Sequence, residues 1–87
     1  MYTDLYRKRL RSSRNGLSIQ YDPTEPQPYS VQAFGCGHYF QSPTECVMYC
    51  KERKWVKKNE VDDLIALVSA EANAIDNMIK GNSHISQ

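Results

Sequence analysis

Residues 42–54 read SPTECVMYCKERK, and the reading of this stretch decides what kind of fold the chain can adopt. Ser42 at an N-cap can accept from the Glu45 amide, Pro43 suits the first helical position, and Glu45 can reach back toward the cap. The spacing predicts a helix from Pro43 to about Lys54, with Trp55 packed near its end. Cys46, Val47 and Cys50 fall on one side of that helix. Such a side needs an apolar surface to lie on.

That surface is supplied upstream. Leu17, Ile19 and Tyr21 alternate with Ser18 and Gln20, and Tyr29, Val31 and Ala33 alternate with Ser30 and Gln32. This is the period of half-buried strands. Between them, Asp22–Pro28 carries three prolines in seven residues and reads as a stiff loop. Gly35-Cys36-Gly37 predicts a tight turn into a short third strand at His38–Gln41, in preference to a bulge in one long strand.

Downstream, Asn59 followed by Asp62 marks a second helix start. Val61, Leu64, Ile65, Val68, Ala72, Ile75, Met78 and Ile79 recur at three- and four-residue steps, an amphipathic helix that Gly81 should stop. In residues 1–14 the spacing of Leu5, Tyr6 and Leu10 allows a short helix, ended by Asn15-Gly16. The expected architecture is α+β. A two- or three-stranded antiparallel sheet carries helices over about 43–54 and 60–80 on one face, with a short N-terminal helix besides. Residues 1–81 form one compact domain and 82–87 a flexible polar tail.

Eighty-seven residues leave room for one modest core. No apolar run approaches the roughly 18 residues that cross a bilayer, and no apolar signal stretch follows the basic start. The expected location is therefore cytoplasmic, where three cysteines do not suggest a disulfide framework. The net charge of +1 hides a segregation. Residues 1–14 sum to +4, 51–58 to +4, 15–50 to −3 and 59–87 to −4. A dipole of this kind can meet an acidic partner at one end and a basic one at the other.

All three cysteines and one of two histidines lie between Cys36 and Cys50. Cys36, His38, Cys46 and Cys50 would form a Cys3His zinc set if the turn and the helix start met. The one-residue gap in Cys36-x-His38 and the three-residue gap in Cys46-x3-Cys50 depart from the usual two-residue knuckle. Inert buried thiols are the simpler account of Cys46 and Cys50. Cys36 and His38, two apart on a strand, are poorly placed as nucleophile and base. No glycine-rich phosphate loop, paired-His motif or serine elbow is present, so the chain reads as a non-enzyme.

Two basic segments mix cations with aromatics: Arg7, Lys8, Arg9, Arg11 and Arg14 follow Tyr2 and Tyr6, and Lys54, Lys57 and Lys58 surround Trp55. On one side of the molecule they would bind phosphates, with a steep salt dependence. Six tyrosines exceed what so small a core can bury, and tyrosine with arginine anchors protein interfaces. The first reading is a small binding protein that occupies a surface of a larger protein or nucleoprotein complex. Its contacts would be Arg7, Arg9, Arg11, Tyr29, Tyr39 and Trp55. Small chains of this kind include inhibitors that phages and mobile elements direct at host or defence complexes such as CRISPR effectors. A nucleic-acid-binding protein is the alternative, and a zinc-stapled domain the next. The long helix also fits an a/d seam, which leaves a homodimer open.

Overall fold

The computed structural model describes residues 1–11 and 13–85. Strands β1 (Thr3–Leu10), β2 (Ser13–Tyr21), β3 (Tyr29–Ala33) and β4 (Cys36–Phe40) lie side by side in chain order, every pair antiparallel. Helix α1 (Pro43–Glu52), a 3-10 turn (Lys58–Glu60) and helix α2 (Val61–Ile85) complete the chain. Both helices pack on one face of the sheet. The α+β architecture is as expected, with four strands in place of two or three.

The extra strand is β1, where a short helix was expected. Within it Tyr6, Lys8 and Leu10 are partly covered while Arg7 and Arg9 are exposed, which is strand alternation. The pairing runs Asp4 to Gln20 and then Tyr6 to Ile19, so Leu5 is an extra, bulged residue. That bulge sets two apolar residues next to each other and disguises the two-residue period as a helical one. Asn15-Gly16 is likewise no turn. It sits inside β2 at a second register shift, with Gly16 at φ +71°. A Cβ there would run into the Lys8 carbonyl, so this position requires glycine.

The β3–β4 connection is tighter than anticipated. Ala33 pairs directly with Cys36, and Phe34 (φ +53°) and Gly35 (φ +76°) form the whole turn. Two successive positive φ values match the right-handed twist of a hairpin. Strand β4 therefore starts at Cys36, two residues before the expected His38.

The Ser42 hydroxyl accepts from the Glu45 amide at 3.2 Å, as the cap signature requires. Glu45 reaches back to the Gln41 amide, one residue before the cap itself. Helix α1 ends at Glu52, two residues short of expectation, because Lys54 turns into the left-handed region at φ +63°. Asn59 does not cap α2. The Glu60 carboxylate instead accepts from the Lys57 amide at 2.9 Å, and the 3-10 turn leads into the helix. Gly81 does not stop α2, which continues to Ile85. Of the segment expected as a tail, Ser86 and Gln87 lie outside the described residues.

The core lies between the sheet and the two helices. Leu17, Ile19, Val31, Val47 and Val68 are fully buried there. Each such side chain contributes about 1.5–3 kcal/mol relative to exposure. Tyr6, Leu10, Tyr29, Phe40 and Tyr49 close its margins. Among the described residues no helix is long and apolar enough to cross a membrane.

Candidate functional site

Among the described residues, no helix packs over the side chains on the opposite face of the sheet. The register puts Arg7, Ser18, Gln32 and Gly37 in one row and Asp4, Gln20, Ser30 and Tyr39 in the next. The row residues are polar because they face away from the core. Ser30 is nevertheless fully buried and Ser18 nearly so, beneath the longer side chains beside them. Gln32 donates to the Ser30 hydroxyl at 2.8 Å, and Gln20 donates to Asp4 at 2.8 Å. Arg7 lies 3.9 Å from the same Asp4. This hydrogen-bonded floor carries Tyr39 at one end, its ring 5.7 Å from that of Tyr2.

Where the end of β1 meets the start of β2 lies a shallow concavity of about 270 Å³. Arg7, Lys8, Arg9, Arg14, Asn15 and Gly16 line it. The pairing of Leu10 with Ser13 runs β2 back along β1, so Arg14 lines the same concavity as Arg7 and Arg9. No carboxylate is in its lining, so the three guanidinium groups give it a positive field.

The six expected partner contacts do not form a single patch. Arg7, Arg9 and Tyr39 belong to the helix-free face, and Arg11 is exposed just beyond β1. Tyr29 lies under the helices, half-buried, with its ring 4.9 Å from that of Tyr21. Trp55 also lies on the helix side, against Phe34 and Tyr49.

The basic segments also divide. Lys8 points to the helix side, donates to the Trp55 carbonyl at 2.9 Å and lies 3.8 Å from Glu60. It acts as a clamp between β1 and the segment before α2, and not as a partner of Arg7 and Arg9. Because that clamp joins the end of β1 to residues 55–60, exposed Lys54, Lys57 and Lys58 occupy the same end of the molecule as Arg9 and Arg14. Both basic segments thus meet at one end.

Cys46 and Cys50 are fully buried in the core. Burial pushes both thiols up, Cys50 to about 12. Cys36 is exposed on β4. The four expected zinc ligands are not gathered. Among the described residues no three His, Cys, Asp or Glu side chains come together as a metal-binding group. Cys36 and His38 do share a concavity of about 310 Å³, formed with Phe34, Tyr49, Arg53 and Trp55. Phe34 and Arg53 were missed from sequence. The available signal for Phe34 was the Phe-Gly pair, where a two-residue turn places an aromatic ring in the open.

On α2, Leu64, Val68 and Ala72 are buried and Ile75 is half-buried. Tyr21 donates to Asp76 at 2.8 Å where the helix passes the end of β2. Met78 and Ile79 are exposed. The apolar stripe is therefore core up to about Asp76. No family model, no curated protein and no solved structure matches the chain.

Proposed function

We propose that the chain is a small non-enzymatic binding protein that occupies a surface of a larger protein or nucleoprotein complex. The helix-free face of the sheet carries this reading. It combines a rigid, hydrogen-bonded polar floor with three converging arginines at one end and paired tyrosines at the other. Tyrosine supplies a large rigid contact area and arginine several directed donors, and both are enriched among the residues that carry binding energy. The floor itself needs no rearrangement to bind, which limits the entropic cost of association. The mechanism is steric and electrostatic blocking, and the proposed class is an inhibitor of the kind that phages and mobile elements direct at host or defence complexes, CRISPR effectors included.

The test is an infection assay in bacteria whose CRISPR effector targets the challenging phage. Expression of the chain restores plaquing, and Arg7→Glu with Arg9→Glu abolishes the effect while leaving the fold intact, since both side chains are exposed. No restoration against a panel of effector types would sink the inhibitor class. Full activity of the double variant would remove the function from this face.

The meeting of both basic segments at one end favours a second reading, binding of nucleic acid. It predicts affinity for oligonucleotides that falls steeply with salt.

A further inference from the structure

The tip of the β3–β4 hairpin holds a costly residue in an exposed place. Phe34 adopts φ +53°, a conformation that glycine and asparagine accept and a bulky side chain resists. The residue is 48% exposed, so burial offsets only part of the strain. Backbone strain kept for a side chain that stays half exposed points to a functional use of that side chain. The strain holds the Phe34 ring 5.7 Å from that of Trp55. Trp55 in turn meets Tyr49 edge-on at 5.8 Å, and His38 lies 4.8 Å from Tyr49. These rings enclose the concavity of about 310 Å³ that also contains Cys36.

The only formally charged side chain in the lining of this aromatic concavity, among the described residues, is a cation. The Arg53 guanidinium sits 5.1 Å over the Tyr49 ring and lines the opening. Lys54 follows it, exposed, with Lys57 and Lys58 beyond. Glu52 lines a different concavity with Tyr39, Gln41 and Glu45, and Glu60 sits further along, accepting from the Lys57 amide. Trp55 ties this segment to both the Phe34 turn, through its ring, and Lys8 on β1, through its carbonyl, with exposed Arg53 and Lys54 just before it in the chain. Flat rings for stacking beside a line of cations match the two halves of a nucleotide, a π-faced base and a phosphate. A neutral apolar peptide would use the rings and leave the cations without partners.

We propose that this concavity is a stacking site for an unpaired base of single-stranded DNA or RNA, with Arg53 and Lys54 beside the adjoining phosphates. The proposal rests on the nucleic-acid reading above and names its substrate class. Trp55 is the chain's single tryptophan, so its fluorescence reports directly on the site. The probes are a thymidine 12-mer and an abasic deoxyribose-phosphate 12-mer of equal charge, titrated at low salt and again at physiological salt.

The expected result is quenching of Trp55 by the thymidine oligomer and markedly weaker binding of the abasic one. Stacking of one base is worth about 1–3 kcal/mol, so Phe34→Ala should weaken the thymidine oligomer about 5- to 150-fold. Phe34→Asn keeps the preference of the turn and removes only the ring. It should raise the melting temperature and still lose the binding, a combination a purely structural Phe34 would not show. Equal affinity for both oligomers would overturn the stacking site while the nucleic-acid reading stands. Binding of neither oligomer would overturn both the stacking site and the nucleic-acid reading. Undiminished binding by a folded Phe34→Asn variant would also overturn it.

Discussion

The Tyr21 hydroxyl donates to Asp76 at 2.8 Å, joining the end of β2 to a point midway along α2 and 55 positions away in the chain. Tyr21 is buried, and desolvation together with the Asp76 carboxylate pushes its phenol well above the ordinary range. This bond marks where the sheet stops supporting the helix. Tyr21→Phe keeps the packed ring and leaves Asp76 without its donor. The expected loss is about 0.5–1.5 kcal/mol in denaturant unfolding, with the slope unchanged. A loss within error would place the hold on α2 entirely in its apolar stripe.

Asp22 organises the proline loop. Its carboxylate accepts from the Met1 ammonium and from both the amide and the hydroxyl of Thr24, while its own amide donates to the Pro28 carbonyl at 2.8 Å. The ammonium, first, and Thr24, second, hold the carboxyl down at about 2, below its ordinary value near 3.9. A carboxyl depressed on folding stabilises the native state above its unfolded pKa. That contribution is lost as the pH falls from about 4 toward 2. Asp22→Asn should lower stability at neutral pH and flatten the acid limb in this window. Parallel acid limbs in the two proteins would contradict the assignment.

The cysteines should separate cleanly by reactivity. Only the exposed Cys36 should react with iodoacetamide in the folded protein near neutral pH, and all three in denaturant, as mass spectrometry would count them. Cys46→Ala or Cys50→Ala should cost about 1–3 kcal/mol through the cavity left behind, with no metal released. Global unfolding with loss of a bound zinc would reinstate the metal clip.

The local features of the chain were open to direct reading. The Ser-Pro-Thr-Glu cap, the alternation in 29–33 and the three- and four-residue steps of α2 each depend on neighbours a few positions apart. Those elements exist where the spacing put them, although α1 ends two residues early and α2 runs on to Ile85. The failures share a cause. Leu5 is bulged and Gly16 is left-handed because β1 and β2 must stay in register with each other, and register belongs to the pair, not to either strand. Phe34 in a turn that favours asparagine shows the same limit, since its geometry follows from Ala33 pairing with Cys36.

What the sequence by itself determined is the class: periodicity and caps dictate strands, helices and which residues seek the core, because burial acts residue by residue. What only the tertiary structure decided is the grouping of side chains. Cys46 and Cys50 are separated from Cys36, Lys8 is turned away from Arg7 and Arg9, and Arg14 is brought back to them. Phe34 and Trp55, 21 positions apart, become one wall of a concavity. Sites are made by contacts between distant segments, and those contacts depend on bulges, register and the path of the chain between elements.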